Sequence, residues 1–270
     1  MGEKIIAVDL GGTNLRTALV INNKVLCYNK KSTPKNADVL VEELFNSISE
    51  FMSNEVKGIG IACPGPLKNG MIQNPPNLAL KNFDLKKAVK KKFKIKVEVE
   101  NDAKCVALAE SKLGCKKKNF IILTLGTGIG GGIIINKKLY RGTGYAGELG
   151  HIIIDNGKDL EKLWQNSKKL TAEEFGNALT INELIEINNE ESKKILEETA
   201  KYLGQGIASL IVAFDPEIVI LTGGLKETGN TFLDIIKKYV KEYCILPKET
   251  PIDWTRLEHP GTMGASLLIR

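Results

Sequence analysis

A pattern of strand, glycine-rich turn and strand occurs twice in the sequence, and it constrains the fold more than any other feature. In the first copy, an apolar strand pattern over residues 4–9 leads into a turn at 10–14, and two further strand patterns follow. In the second copy, the first strand pattern spans residues 119–125 and the turn spans 126–132. Helical periodicity lies between and after the two copies, which predicts an α/β fold. The internal repeat predicts duplication of one half-domain and therefore two lobes.

The second turn contains Gly126-x-Gly128-x-Gly130, which is half of a dinucleotide-binding fingerprint. That fingerprint needs a helix directly after the glycines, because the pyrophosphate binds at the helix amino terminus. Here residues 133–135 continue as a strand pattern, which argues against a Rossmann site. A Walker loop is absent as well, since no Gly-Lys-Ser/Thr triplet follows a spaced glycine.

Each glycine turn can bind phosphate in another way. Consecutive backbone N–H groups without side chains can converge on an anion, and Thr13 and Thr127 would add hydroxyl donors. One such turn is commonly only a tight hairpin, but two at matching places predict one phosphate chain held between two lobes. Asp9 ends the strand before the first turn, where it can hold a hydrated Mg²⁺ beside the phosphates. The alternative role for Asp9 is to cap the turn.

Asp102 lies between the two glycine turns, where a strand pattern over residues 95–99 meets an Ala-rich helical segment. Asn101 or Asp102 at this junction can cap the helix, which is one interpretation. In the other, the carboxylate faces the crevice at the carboxyl ends of the strands, where open α/β sheets bind ligands. The position of Asp102 between two phosphate-binding turns favours the second interpretation.

Composition excludes several classes of protein. The chain has 270 residues, enough for one large or two ordinary domains, and 43% of them are hydrophobic, as in globular proteins. Its longest apolar runs are too short to span a bilayer, and no signal-peptide pattern occurs at the amino terminus. The five scattered cysteines form no CxxC pair or disulfide framework, which favours a cytoplasmic location. The net charge is +6, but the lysines of segment 86–96 lack interleaved aromatic or arginine residues, so no nucleic-acid partner is expected.

Several motifs in order resemble a known family. They are Asp9-Leu10-Gly11-Gly12-Thr13-Asn14-Leu15-Arg16, Pro64-Gly65-Pro66, Pro76-Asn77-Leu78, Glu100-Asn101-Asp102-Ala103, Leu125 to Gly132, Ala146-Gly147-Glu148-Leu149-Gly150-His151, Asp215-Pro216-Glu217 and Thr222-Gly223-Gly224. The first motif resembles the phosphate motif of the superfamily of actin, hexokinase and the heat-shock ATPase chaperones. More narrowly, the chain is similar to the ROK group of sugar kinases and repressors over nearly its whole length.

The resemblance implies a two-lobed ribonuclease H-like fold with nucleotide and sugar in the interdomain cleft. The expected lobes are residues 1–102, rejoined by 260–270, and residues 103–259. Asp102 would be the catalytic base that takes the proton from a sugar hydroxyl as it attacks the γ-phosphate of ATP. The implied acceptor ligands are Gly65, Asn77, Asn101, Asp102, Glu148 and His151. The implied ATP and phosphate ligands are Asp9, Gly11, Gly12, Thr13, Asn14, Arg16, Gly126, Thr127, Gly128, Gly223 and Gly224, with Asp9 holding Mg²⁺ through water.

The sequence departs from the family at its zinc site. The family pairs the histidine at position 151 with three cysteines of a CxCGxxGC loop, but residues 154–161 contain no cysteine. A zinc ion would lose most of its ligands, so we expect none. Leu160-Glu161 still matches the Leu-Glu that follows the missing cysteines. The resemblance therefore implies Glu161 as a further sugar ligand.

The expected function is an ATP-dependent hexose kinase that acts on the 6-hydroxyl, with glucose as the first candidate. Fructose, mannose and N-acetylated hexosamines are alternatives within the family, and polyphosphate and ADP are alternative donors. A repressor of this family carries a helix-turn-helix domain ahead of the first phosphate motif, but only eight residues precede Asp9. A non-catalytic sugar sensor is the remaining alternative. A homodimer is common among similar proteins, and the sequence does not determine the oligomeric state.

Overall fold

The computed structural model of the chain describes residues 2–73, 75 and 77–270. Among these residues, no helix has both the length and the apolar character needed to cross a membrane. The five cysteines are free thiols. Of the motifs above, Pro76 lies outside the described residues.

The secondary structure alternates strands and helices along the whole chain. The first half contains β1 (Lys4–Leu10), β2 (Asn14–Ile21), β3 (Lys24–Ser32), α1 (Ala37–Ser49), β4 (Val56–Cys63), β5 (Leu67–Lys68), β6 (Met71–Ile72), β7 (Phe83–Asp84), α2 (Leu85–Phe93), β8 (Lys96–Asn101), α3 (Asp102–Ala109), β9 (Phe120–Leu125) and β10 (Ile129–Ile135). The second half contains β11 (Lys138–Leu139), β12 (Ile153–Asp155), β13 (Lys158–Asp159), α4 (Leu160–Phe175), α5 (Ile181–Ile187), α6 (Glu190–Phe214), β14 (Val219–Gly223), α7 (Asn230–Tyr243), β15 (Ile252–Trp254) and α8 (Pro260–Leu267).

The chain forms two compact units. The first comprises Met1–Lys116, Lys138–Ala146 and Leu257–Arg270, and the second comprises Lys117–Lys137 and Gly147–Arg256. The first unit therefore extends past Asp102, where the expected lobe ended. The reason is that α3 packs against α8, where a side chain at Gly264 would overlap the carbonyl of Cys105.

The first unit is built on a five-stranded sheet in the order β3-β2-β1-β4-β8. Strands β1, β2 and β3 form an antiparallel meander, as predicted, whereas β1, β4 and β8 are parallel. Helix α1 buries Leu40, Leu44 and Ile48 at the 3.6-residue spacing seen in the sequence. Helix α8 packs on β1 and β4 so closely that a side chain at Gly60 would overlap the carbonyl of Ala265.

The second unit repeats the arrangement with β10, β9, β14 and β15, which are consecutive strands of a five-stranded sheet. Strands β9 and β10 are antiparallel around the second glycine turn, as the internal repeat predicts, and β14 is parallel to β9 and β15. The long helix α6 is followed by Asp215, whose backbone is left-handed with φ 43°. The buried faces of α4, α6 and α7 form the core of this unit with the sheet.

Candidate active site

The parallel strands of the first unit bring the two expected acidic site residues to one edge of the sheet. In the register of β1 and β4, Asp9 lies opposite Ala62, and in the register of β4 and β8, Ala62 lies opposite Glu100. Asp102 follows two residues after Glu100, at the start of α3. The carboxyl edge of the sheet therefore carries both carboxylates. This is the edge at which open α/β sheets bind ligands.

Residues outside the turn hold the carbonyl groups of the first glycine turn. The Thr33 hydroxyl donates to the Gly11 carbonyl at 2.6 Å, the Thr33 N–H donates to the Thr13 carbonyl at 2.9 Å, and the Lys35 ammonium donates to the Gly12 carbonyl at 2.8 Å. Within the turn, the Gly11 N–H donates to the Asn14 carbonyl at 2.9 Å. These contacts fix the backbone of the turn from its carbonyl side. Thr33 and Lys35 were not singled out from the sequence, because their role depends on where β3 ends.

The first turn also contacts a second expected site residue. A side chain at Gly12 would place its Cβ 2.6 Å from the Asn77 carbonyl. Glycine is therefore required at Gly12 by the close approach of the loop that carries Asn77. The same loop passes Gly65, whose left-handed backbone (φ 87°) lies against Pro75. The structure thus brings Gly12 and Asn77 into contact and places Gly65 beside the same loop.

Asp9 is partly buried and forms an ion pair with Arg16. Its Oδ2 accepts a hydrogen bond from Nη1 of Arg16, its cross-strand partner, at 3.1 Å. A Cβ at Gly261, in the first turn of α8, would lie 3.3 Å from the same oxygen. Burial raises the pKa of Asp9, and the charge and hydrogen bond of Arg16 partly oppose that increase. A cation bound near Asp9 would stabilise the ionised form of this carboxylate.

The chemistry of the Asp9 environment fits a hydrated Mg²⁺. This ion commonly keeps several waters and binds through one or two carboxylates together with substrate phosphates. Asp9 supplies one carboxylate beside a glycine turn. In the described part of the chain, no group of three or more His, Cys, Asp and Glu side chains is arranged to hold a metal by itself.

The helix-capping role at the β8–α3 junction belongs to Asn101 and not to Asp102. The Asn101 Oδ1 accepts a hydrogen bond from the Lys104 N–H at 3.1 Å, and its Nδ2 donates to the Gly65 carbonyl at 3.4 Å. Asp102 is the first residue of α3, and its Oδ1 accepts from the Ala103 N–H at 2.8 Å. A negatively charged side chain in the first turn of a helix interacts favourably with the helix dipole.

A loop over residues 140–146 is fixed beside this junction by three side-chain contacts. Nζ of the buried Lys104 donates to the Gly144 carbonyl at 2.6 Å, and Nε of Arg141 donates to Oε2 of Glu100 at 2.7 Å. Nε2 of Gln73 donates to the Tyr145 hydroxyl at 2.9 Å. These contacts lie within the first unit and adjoin Asn101 and Asp102. Sequence reasoning missed this loop, because its partners are 40 or more residues away in the chain.

Helix α4 holds the second glycine turn. The Trp164 indole Nε1 donates to the Gly126 carbonyl at 3.0 Å, and Oε2 of Glu161 accepts from the Ile129 N–H at 2.8 Å. A Cβ at Gly128 would overlap that same Glu161 oxygen. Gly126 and Thr127 are exposed at the tip of the turn. The exposed tip of the turn is therefore attached to a rigid helix, which is a suitable arrangement for a phosphate-binding turn.

Glu161 has a different environment from the one implied by the family resemblance. Its Oε2 is hydrogen-bonded to the turn backbone, and its Oε1 accepts from Nε2 of Gln165 at 3.3 Å. In this geometry the carboxylate holds the backbone of the second glycine turn. A direct contact of Glu161 with a sugar stays a prediction.

Glu148 precedes a short 3-10 turn, Leu149–His151, which ends in His151 and packs against the start of β10. Close packing is possible because Gly150 has no side chain, since a Cβ there would overlap the Ile129 carbonyl. Nδ1 of His151 lies 3.4 Å from Oδ2 of Asp159. The expected absence of a zinc ion at His151 stays a prediction.

The end of β14 lies beside the strand that leads into the second glycine turn. Gly223 pairs with Leu125 in the parallel register, and its left-handed backbone has a φ of 118°. A Cβ at Gly223 would overlap the Leu125 carbonyl, whereas a Cβ at Gly224 would meet no atom within 4 Å. The second unit therefore places Gly223 and Gly224 at the same sheet edge as Gly126.

Two α/β units, each with an antiparallel pair of strands around a glycine turn, define the actin-like ATPase fold. The family model described as ROK family matches residues 5–270. The chain therefore belongs to the ROK family.

Relatives in this family include both enzymes and regulators. The glucokinase of Streptomyces coelicolor is 29% identical in an alignment that covers 89% of this chain and 88% of the relative. The xylose repressor of Bacillus subtilis is 29% identical in an alignment that covers 87% of this chain and 65% of the repressor. A crystal structure of a ROK family glucokinase from Streptomyces griseus, in complex with glucose and AMPPNP, is 28% identical with a TM-score of 0.86 and covers 98% of both chains.

Proposed function

We propose that the protein is an ATP-dependent hexose kinase that transfers the γ-phosphate to the 6-hydroxyl of a hexose. The observation that carries the proposal is the shared sheet edge, where Asp9 at the first glycine turn and Asp102 at the start of α3 both lie. Similarity to glucokinases over nearly the whole chain supports the same chemistry. Glucose is the first candidate acceptor.

Asp102 acts as the general base. It accepts the proton of the 6-hydroxyl as that oxygen attacks the γ-phosphorus, and the bond from γ-phosphorus to the bridging oxygen breaks to release ADP. Phosphoryl transfer needs mainly positioning and charge stabilisation, so an ionised carboxylate that orients the hydroxyl is sufficient. Asn101 is the N-cap of α3, so that role does not require the Asp102 carboxylate, whose Oδ1 accepts a hydrogen bond from the Ala103 N–H at 2.8 Å.

The phosphates of ATP are bound by backbone N–H groups and small polar side chains. In the first unit these are Gly11, Gly12, Thr13 and Asn14, together with the Arg16 guanidinium. In the second unit they are Gly126, Thr127 and Gly128, with Gly223 and Gly224 against the nucleoside. When bound, Mg²⁺ neutralises charge on the phosphates, and Asp9 holds it through water.

The acceptor is bound by polar side chains and loop backbone. Asn101, Glu148 and His151 contact sugar hydroxyls, Gly65 and Asn77 line the acceptor side in the first unit, and Glu161 is the additional candidate. Fructose, mannose and N-acetylated hexosamines are the alternative acceptors. A reducing cytoplasm, where ATP is available, suits the five free thiols.

A coupled ADP-release assay against a panel of hexoses, with and without Mg²⁺, tests the proposal. We expect Mg²⁺-dependent ADP release with glucose or with one of the named alternatives. Absence of ADP release with every hexose, together with absence of hexose phosphate when ADP or polyphosphate replaces ATP, would contradict the kinase function.

The second candidate is a sugar sensor without kinase activity, which the similarity to a xylose repressor supports. Calorimetric binding of a hexose by a protein that releases no ADP would favour this alternative.

A further inference from the structure

Asp159 is a buried residue whose carboxylate contacts two different parts of the second unit. It exposes only 9% of its surface. Its Oδ1 accepts a hydrogen bond from the Lys162 N–H at 2.8 Å and thereby caps α4. Its Oδ2 lies 3.4 Å from Nδ1 of His151 and 3.9 Å from Nζ of Lys162. One side chain thus joins the start of α4 to the turn that carries Glu148 and His151.

The backbone around Asp159 is fixed independently of this side chain. Strand β13 pairs with β12 so that Asp159 lies opposite Ile153, and the Leu160 N–H donates to the Ile152 carbonyl at 3.0 Å. Because Ile152 directly follows His151, the same short hairpin determines the separation of the carboxylate and the imidazole. The backbone of the hairpin therefore fixes this contact, although the side chain of His151 is exposed.

The contact has a chemical consequence for the imidazole. An ionised carboxylate only accepts hydrogen bonds, so Nδ1 of a neutral His151 must carry the proton when it pairs with Asp159. Nε2 is then unprotonated and can accept a hydrogen bond from a hydroxyl group. A partner of this kind orients the imidazole ring.

We propose that Asp159 is a positioning residue, which holds His151 in the Nδ1–H tautomer so that Nε2 accepts a hydrogen bond from the acceptor sugar. This inference rests on the proposed function only in taking the ligand to be a sugar hydroxyl. The tautomer itself is a property of the free protein. Asp159 has no direct contact with the sugar in this role.

The test compares Asp159→Asn with Asp155→Asn. The first variant keeps an amide oxygen for capping α4, since Asn is a good N-cap residue, but presents an N–H donor to Nδ1. The second removes the same charge from the same hairpin, where Asp155 is hydrogen-bonded to the Asn156 side chain. Asp159→Ser is a further variant, which keeps a capping hydroxyl that is too short to reach the ring.

Nitrogen-15 NMR in alkaline buffer reports the tautomer, and His151→Gln assigns the signals because the chain has two histidines. We expect the Nδ1–H form in the parent protein and in Asp155→Asn, and the Nε2–H form in Asp159→Asn. Hexose KM should rise about 10-fold in both Asp159 variants with a smaller change in kcat, in the range seen for partners of a functional histidine.

An unchanged tautomer in Asp159→Asn, or a KM equal to that of the parent in both Asp159 variants, would overturn the inference. If the parent protein phosphorylates no hexose, the proposed function fails, and the tautomer measurement alone decides the role of Asp159.

Discussion

The second glycine turn provides a prediction that can be worked out from the structure in detail. In the structure, Oε2 of Glu161 accepts from the Ile129 N–H at 2.8 Å, and a Cβ added at Gly128 would overlap that oxygen. The Glu161 side chain is flexible, so Gly128→Ala is expected to displace it and to break the hydrogen bond. The loss of stability that the alanine methyl group at position 128 causes therefore depends on whether Glu161 is present.

The magnitude follows from the value of that hydrogen bond. A hydrogen bond to a charged group contributes about 1.5–3 kcal/mol to the free energy of unfolding. Replacing glycine by alanine in an allowed conformation returns about 0.4–1 kcal/mol by restricting the unfolded chain. We expect Gly128→Ala to destabilise the second unit by ~1–2 kcal/mol and Glu161→Ala by ~2 kcal/mol. In the double variant, the alanine at position 128 should add no further loss.

Urea unfolding followed by tryptophan fluorescence measures these effects, because both tryptophans, Trp164 and Trp254, belong to the second unit. Gly126→Ala is the matched control, since a Cβ there would meet no atom within 4 Å. It should change stability by less than about 0.5 kcal/mol. Additive effects in the double variant, or equal effects of the Gly126 and Gly128 substitutions, would refute the proposed contact between Glu161 and the turn.

Three further predictions concern Asp9, Asn101 and zinc. Burial raises the pKa of Asp9, and Arg16 lowers it. Arg16→Gln should therefore raise that pKa further and shift the acidic limb of the pH profile of kcat/KM to higher pH. An unchanged acidic limb would show that the titration of Asp9 does not determine it. Asn101→Ala should lower the free energy of unfolding by ~1 kcal/mol in urea unfolding, because α3 loses its N-cap. The same substitution should also raise the KM for the hexose. An unchanged free energy of unfolding would argue against the capping role. Metal analysis by mass spectrometry should find no stoichiometric zinc, whereas one zinc per chain would contradict the expectation based on the missing cysteines.

The strands and glycine turns were predictable because they depend on local sequence. Alternating apolar residues and the two glycine turns predicted both meanders, and the family resemblance is confirmed by the match over residues 5–270. The roles of Asn101 and Asp102 at the β8–α3 junction were not separable from sequence. Both residue types can cap a helix, and only the backbone geometry assigns the cap to Asn101.

Contacts between distant segments were not predictable. The boundary of the first unit depends on the close packing of α3 against α8 at Gly264. No periodicity in the sequence indicates that these two helices are in contact. The contacts of Trp164 with Gly126 and of Asp159 with His151 depend on the orientation of α4. In each case the contact joins two different secondary-structure elements, and a single sequence does not show such pairs.

The role of Asp102 is tested most directly by comparing Asp102→Asn with the parent protein in steady-state phosphorylation and in hexose binding. The substitution keeps the shape and an oxygen for the Ala103 N–H, but it removes the base. We predict that kcat falls by roughly 10²–10⁴-fold, as for loss of a general base, while hexose binding by calorimetry stays measurable. A kcat within a factor of about two of the parent value would contradict the assignment of Asp102 as the base.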